Sequence, residues 1–215
     1  MDKNIQARCI AHEIRNQISI CELYSQIINK NLEKAGIKND SVNNALKCIS
    51  KSLKIMSNNL LDLKSLDNLE IKTINAQKII KEAINLSMVY VQEKDINISF
   101  SCIKDADIKI DENKFLACLV NIIKNAIEAI EEKGEINLET NIVDGNLSIK
   151  IFNNGAIIPK EVQEHLFEEG FTTKSTGSGL GLPICAKNLK AQNALLRLNK
   201  SIREITEFEI IIPID

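Results

Sequence analysis

Gly177-Ser178-Gly179-Leu180-Gly181-Leu182 is the stretch of this chain that most restricts its fold. Its three glycines stand at alternate positions, so the backbone can close around phosphate oxygens where any Cβ atom would collide. The residues from Leu182 to Lys190 have the pattern of a helix, whose free N–H groups and positive dipole end would face the same phosphate. The stretch therefore predicts a phosphate-binding loop, and a flexible turn is the alternative that it leaves open.

Upstream, a predicted helix over 112–132 carries Asn121 and Asn125 one turn apart on the same face. The other inward positions of this helix are apolar, and an amide buried among them without a partner costs about 1–3 kcal/mol. A magnesium ion would provide such a partner through an Asn carbonyl, and hydrogen bonds within the core are the alternative. Lys124 either reaches a phosphate or lies in solvent.

Two polar segments lie between this helix and the glycine-rich loop. A predicted strand ends at Asn153, whose carbonyl would accept a hydrogen bond from an exocyclic amine such as that of adenine; a simple Asn-Gly turn is the alternative. Farther on, Thr172, Thr173 and Lys174 offer donors for phosphate. They belong to an irregular stretch, 153–176, whose length is typical of a functional lid.

Composition limits the possible partners and location. The 27 basic and 29 acidic residues among 215 give no basic field, so no nucleic-acid partner is expected. No run is long enough to span a membrane, and the first residues lack the apolar core of a signal peptide. The six cysteines show no CxxC spacing. We therefore expect small buried thiols and a cytoplasmic protein.

The pattern along the chain divides it into two domains. Residues 1–35 contain no Pro or Gly, and apolar side chains recur there, and again over 42–64, at helical spacing. These two helices predict a hairpin that pairs with a second copy in a dimeric four-helix bundle, or packs on the rest of the same chain. We expect the hairpin over 1–67, a polar linker over 68–74 and a mixed α/β domain over 75–215.

Within the mixed domain, alternating and helical patterns predict the individual elements. Asp144-Gly145 is expected to turn a strand hairpin. Predicted helices cover 76–91, 112–132 and the residues after Leu182, and predicted strands cover 96–102, 107–110, 135–143, 146–152, 194–199 and 207–213.

Four segments, in this order, resemble the motifs of the GHKL ATP-binding domain of bacterial sensor histidine kinases: 121–126, 153–155, 167–174 and 177–182. The resemblance covers roughly residue 75 to the C-terminus. It implies an α/β two-layer sandwich of the GHKL ATPase type that binds ATP with Mg²⁺, and Asn125 corresponds to the magnesium-binding Asn. The nucleotide-binding residues that it implies are Asn121, Lys124, Asn125, Asn153, Gly155, Thr172, Thr173, Lys174, Gly177, Gly179, Leu180, Gly181 and Leu182.

Two features distinguish this chain within that pattern. Asn121 stands where water-activating relatives carry Glu, which suits phosphoryl transfer better than hydrolysis. The family's Asp-x-Gly-x-Gly pattern is replaced by Asn153, Gly155 and Ile157. An amide accepts the adenine amine more weakly than a carboxylate does, and the missing glycine stiffens the lid hinge. We expect weaker nucleotide affinity from these two changes.

Near the N-terminus, Ala11-His12-Glu13-Ile14-Arg15-Asn16 resembles the phosphoacceptor motif of the same kinases. On a helical wheel His12 lies nearly opposite the apolar stripe, which places its imidazole in solvent. The resemblance implies that His12 is phosphorylated, that Glu13 holds or deprotonates the other ring nitrogen, and that Asn16 positions a water for dephosphorylating a partner. The family generally has Pro where this chain has Gln17, so a straighter helix is expected.

The sequence therefore predicts a two-component histidine kinase that autophosphorylates His12 from ATP and passes the phosphoryl group to an aspartate of a response regulator receiver domain. A homodimer through the N-terminal hairpin is expected. One alternative is a histidine phosphotransferase of the same architecture with a vestigial ATP site. The other is a nucleotide-regulated binding module in which His12 is inert.

Overall fold

The computed structural model describes residues 69–91, 94–174, 179–203 and 205–214, with scattered positions between 18 and 53. The chain divides into two compact units, Met1–Ser65 and Leu66–Asp215. In the first unit, the described positions between 18 and 34 and between 41 and 53 are helical. The pairing of two helices into a hairpin, and of two hairpins into a bundle, stays a prediction.

The second unit is a mixed α/β domain, as the sequence predicted. Its elements, in chain order, are β1 Ile71–Asn75, α1 Ala76–Ser87 with a 3-10 turn Met88–Tyr90, β2 Asp95–Cys102, β3 Asp107–Asp111, α2 Glu112–Glu128, β4 Lys133–Val143, β5 Asn146–Asn153, α3 Lys160–Gln163, α4 Gly181–Lys190, β6 Leu195–Ile202 and β7 Ile205–Pro213.

Five of the strands form one sheet in the order β2-β4-β5-β7-β6. β2 and β4 are parallel, while the β4–β5, β5–β7 and β6–β7 pairs are antiparallel. Asp144 and Gly145 turn the β4–β5 hairpin with φ values of 50° and 72°, the conformation of a type I′ turn. The sequence prediction of this hairpin is confirmed.

A helical layer covers one face of the sheet, and α2 is its central member. α1 and α4 both pack against α2. The apolar side of α2 is buried against inward residues of the strands, which alternate with polar outward residues as a half-covered sheet requires. The core includes Phe115, Leu119, Ile123, Ile127, Ile136, Leu138, Ile149, Ile151 and Ile210.

The structure differs from the sequence prediction at several places, among them the short helix α3, which lies within the stretch predicted to be irregular. α2 ends at Glu128 rather than near residue 132, because the Ala129 carbonyl leaves the helix to accept a hydrogen bond from the Ala156 N–H at 2.8 Å. Ile71–Asn75, which lies mostly in the predicted linker, forms β1 and pairs antiparallel with β3. Five residues with a central Lys-Thr pair give too short an apolar pattern to distinguish a strand from a linker.

Candidate functional site

The face of α2 that is not covered by the sheet carries three of the predicted residues. Asn121, Lys124 and Asn125 are half-buried along this edge, whereas their neighbours Ile122 and Ile123 are fully buried. Both ends of α2 are fixed: the Asp111 side chain accepts the Lys114 N–H at 3.0 Å, and the Lys94 ammonium donates to the Ile127 and Ile130 carbonyls. The two amides are therefore presented by a rigid helix.

Asn125 lies at the centre of a small charged cluster. The Lys174 ammonium donates to Asn125 Oδ1 at 3.1 Å and also pairs with the carboxylate of Glu128. Lys124 lies 3.6 Å from the Glu128 carboxylate, and its ammonium lies 5.1 Å from the centre of the Tyr90 ring. The structure thus brings Asn125, Lys124 and Lys174 together. The positively charged ammonium of Lys174 lies beside the side-chain carbonyl of Asn125.

Sequence reasoning missed Glu128 and Tyr90 as members of this cluster. Glu128 lies one turn after Asn125 and four residues after Lys124, and this spacing is the signal that would have identified it. Tyr90 gave no local signal, because it belongs to a short turn that only the tertiary fold brings to α2.

Asn121 lies against the start of α4. A Cβ atom on Gly181 would lie 2.6 Å from Asn121 Oδ1 and 2.9 Å from its Nδ2, so a side chain at this position would displace the Asn121 amide. The Asn121 amide also donates to the Cys185 sulfur at 3.5 Å. Among the described residues, the alternative assignment of Asn121, an amide satisfied by hydrogen bonds within the core, is supported only by this weak thiol contact.

Gly155 attaches the turn after β5 to the end of α2. A Cβ atom on Gly155 would collide with the Ala129 carbonyl, and the next residue, Ala156, donates its N–H to that same oxygen. Asn154 fixes the other side of the turn, since its Oδ1 accepts the Glu135 N–H at 2.8 Å. The predicted base-binding turn is therefore rigid at Gly155, while Ile157 is 54% exposed.

Asn153, the last residue of β5, faces the helices and is 3% exposed. Its amide nitrogen is buried and has no hydrogen-bond partner among the residues that the structure describes. Thr206 lies opposite Asn153 on β7, and the Thr206 hydroxyl bonds the Ser201 hydroxyl at 2.8 Å. A buried donor left in this state costs about 1–3 kcal/mol, so a ligand acceptor here would relieve it.

The loop before α4 is partly described. Gly179 has φ +67° and its carbonyl accepts the Gly170 N–H at 3.1 Å, which ties the loop to the segment before Thr172. Leu180 and Leu182 are half-buried, and Thr172 and Thr173 are exposed. Thr172 Oγ1 accepts the Lys174 N–H at 3.1 Å. Gly177, like His12, Glu13 and Asn16, lies outside the described residues, so its predicted role stays a prediction.

Two further observations describe the chemistry of this unit. Within the described ranges, no group of three or more His, Cys, Asp or Glu side chains has the arrangement of a metal site. Amide and phosphate oxygens would therefore have to supply most ligands of a cation at Asn125. No helix of the described part of the chain is both long and apolar enough to cross a membrane.

The comparisons with known families and structures agree with this geometry. Residues 110–215 match the family described as histidine kinase-, DNA gyrase B- and HSP90-like ATPase. The fold also resembles the catalytic domain of histidine kinase ThkA, with 28% identity and a TM-score of 0.62 over 67% of this chain and 95% of that domain.

Among curated proteins, sporulation kinase C of Bacillus subtilis is 26% identical over 211 residues, which is 95% of this chain and 47% of the relative. The signal transduction histidine-protein kinase AtoS of Escherichia coli is 26% identical over 212 residues, 96% of this chain and 34% of the relative. The chain thus spans less than half the length of these two kinases. The fold also resembles that of ThkA in complex with response regulator protein TrrA, with 24% identity and a TM-score of 0.61 over 98% of this chain and 61% of that chain.

Proposed function

We propose that this chain, whose residues 110–215 match the histidine kinase-, DNA gyrase B- and HSP90-like ATPase family, transfers the γ-phosphoryl group of ATP to His12. The single observation that carries the proposal is the edge of α2. There the Lys174 ammonium lies 3.1 Å from Asn125 Oδ1, and Gly181 approaches Asn121 so closely that a Cβ atom would displace the Asn121 amide. Such an edge is suited to hold a charged triphosphate between a helix and a glycine loop.

Each part of the nucleotide has a chemically matched group in this unit. The base would lie against Asn153 and the Gly155 turn, where the buried amide lacks a partner. The phosphates would lie between the α2 edge and the N-terminus of α4, with N–H groups of the glycine loop as donors. Lys174, Thr172 and Thr173 would contact the phosphates from the exposed lid segment.

The residues at Asn125 fit a magnesium ion. The Asn125 carbonyl already accepts a cationic ammonium, and Glu128 provides a carboxylate at the same place. These are hard oxygen donors of the kind that Mg²⁺ prefers. When bound, the ion would neutralise the charge that develops on the transferred phosphoryl group. Lys174 would then be free to turn from Asn125 toward a phosphate.

In the proposed step, a neutral ring nitrogen of His12 attacks the γ-phosphorus in line. An N–P bond forms while the bond to the bridging oxygen breaks, so ADP leaves with that electron pair. Glu13 holds or accepts the proton on the other ring nitrogen. Asn121 is an amide and cannot deprotonate water, which favours transfer over hydrolysis.

The phosphoryl group would then pass to an aspartate of a response regulator. The structure of ThkA with TrrA is a complex of a histidine kinase and a response regulator protein. By analogy, we expect a receiver domain to bind near His12, and a second copy of this chain to pair through the N-terminal unit.

One alternative has an observation in its favour. Asn153 and Ile157 replace the carboxylate and the glycine of the usual nucleotide motif, which suits a phosphotransferase with a vestigial ATP site. Such a protein would accept phosphoryl groups only from a phosphorylated regulator.

Incubation with γ-labelled ATP and Mg²⁺ tests the proposal. Acid-labile, base-stable label is expected on the wild type, because phosphohistidine has that stability. His12→Ala and Asn125→Ala should each abolish it. His165→Ala is the matched control, since His12 and His165 are the two histidines of the chain, and it should retain the label.

Two results would count against the kinase. Label on the wild type that survives His12→Ala would reject His12 as the acceptor. Absence of label from ATP, with label gained from a phosphorylated regulator, would support the phosphotransferase instead.

A further inference from the structure

We propose that Asn153 lets this site bind 6-oxopurine nucleotides, such as ITP and GTP, alongside ATP. The inference rests on the proposed nucleotide-binding function and specifies its substrate class. Its starting point is that Asn153, the residue proposed to face the base, is 3% exposed and has an amide nitrogen that lacks a partner among the described residues.

The neighbouring polar groups are already bonded to one another. The hydroxyls of Thr206 and Ser201 lie 2.8 Å apart, and Ser201 also accepts the Ile158 N–H at 2.8 Å. The side-chain carbonyl of Asn154, the next residue, accepts a hydrogen bond from the Glu135 N–H. Of the described polar groups around this turn, the Asn153 amide is therefore the one left to form hydrogen bonds with the edge of a base.

An amide and a carboxylate form different hydrogen bonds with the 6-substituent of a purine base. A carboxylate only accepts hydrogen bonds, so it favours the 6-amino group of adenine and repels the 6-oxo oxygen of hypoxanthine or guanine. An amide carries one accepting and one donating end. The amide carbonyl accepts a hydrogen bond from the amino group of adenine. After a rotation of the side-chain amide by a half-turn about the Cβ–Cγ bond, the amide N–H donates to the oxo group instead.

The buried nitrogen of Asn153 gains an acceptor in either pairing. Adenine can also use both ends of the amide: its 6-amino group donates to the Asn153 carbonyl, and the adjacent ring nitrogen accepts from the Asn153 N–H. A 6-oxo group accepts from the Asn153 N–H directly, and N1–H of the same ring donates to the carbonyl. The site should therefore discriminate between 6-amino and 6-oxo purines only weakly.

Displacement of a ribose-labelled fluorescent ATP analogue, in the presence of Mg²⁺, tests this inference. We expect ITP to compete with a dissociation constant within about tenfold of that of ATP. ITP isolates the effect of the oxo group, because it lacks the 2-amino group of guanine; GTP then tests whether that group also fits.

Asn153→Asp should weaken the binding of ITP relative to that of ATP by about tenfold or more, since a carboxylate has no N–H donor and repels the 6-oxo oxygen. Asn154→Asp is the matched control: it adds the same charge one residue away and keeps the acceptor for Glu135, so the ITP to ATP ratio should not change. Circular dichroism verifies that both variants are folded. The wild-type comparison stands by itself if Asn153→Asp does not fold.

Wild-type protein that binds ATP but binds ITP about a hundredfold more weakly would overturn the inference and leave the proposed function intact. An unchanged ratio in folded Asn153→Asp would do the same. If the wild-type protein binds neither ATP nor ITP at millimolar concentration, the proposed function is rejected, and this inference with it.

Discussion

At the scale of single residues, two glycines of this unit are required for different reasons: Gly181 because of a close contact with another residue, and Gly145 because of its backbone conformation. Gly181 is helical, so an alanine there has no backbone strain, but its Cβ would lie 2.6 Å from Asn121 Oδ1. Gly145 is the opposite case: nothing lies within 4 Å of an added Cβ, and φ is +72°. A substitution at Gly181 therefore tests a side-chain collision, whereas a substitution at Gly145 tests backbone strain.

We predict that Gly181→Ala weakens ATP-analogue binding by about tenfold while the free energy of unfolding changes by less than about 1 kcal/mol. The alanine displaces the Asn121 amide but is a better helix former than glycine. Gly145→Ala should show the reverse, a loss of about 1–2 kcal/mol of stability with unchanged binding. Titration calorimetry and urea denaturation measure the two effects. Equal binding by Gly181→Ala and wild type would contradict the role given to this contact.

At the scale of secondary-structure elements, the outer face of the sheet depends on a buried carboxylate. Glu209 on β7 accepts hydrogen bonds from the Ser148 hydroxyl at 2.6 Å and from the Arg197 guanidinium at 2.6 and 2.9 Å. Burial by itself would raise the pKa of Glu209, but these hydrogen bonds and the positive charge of Arg197 outweigh it. The pKa of Glu209 is therefore held below its ordinary value of 4.5.

A lowered pKa means that the ionised Glu209 stabilises the fold above pH 4.5, and that this contribution disappears as the pH falls through the lowered pKa. We predict that Glu209→Gln is less stable than wild type by about 1–2 kcal/mol at pH 7, because Arg197 is half-exposed and partly screened. The difference should shrink at pH 3. Urea denaturation at both pH values measures it, with Ser148→Ala as a milder variant. A difference that is the same at both pH values would contradict this assignment.

The same scale explains which elements the sequence predicts. The β4–β5 hairpin follows from the Asp144-Gly145 turn, and α2 follows from its apolar periodicity, because both signals are local. The end of α2 is not local: it depends on the bond between Ala129 and Ala156, which lie far apart in the chain. β1 is equally dependent on β3, its partner across more than thirty residues.

At the scale of the whole molecule, the sequence located the candidate site through spacing, and the structure added the contacts. Asn121, Asn125 and the glycine loop could be named from their pattern. The pairing of Lys174 with Glu128, and the contact of Lys124 with Tyr90, could not, because they join segments whose sequence separation carries no signal. The roles of His12, Glu13 and Asn16 still depend on the resemblance to histidine kinases, since these residues lie outside the described part of the chain.

The central claim is that α2, the end of β5 and the start of α4 enclose one magnesium–nucleotide complex in each chain. Calorimetric titration with a non-hydrolysable ATP analogue tests it most directly. The account predicts saturable binding of one nucleotide per chain with a dissociation constant below about 1 mM, dependence on Mg²⁺, and at least about tenfold weaker binding by Asn125→Ala. Absence of binding at millimolar analogue and Mg²⁺, by protein that circular dichroism shows to be folded, would contradict it.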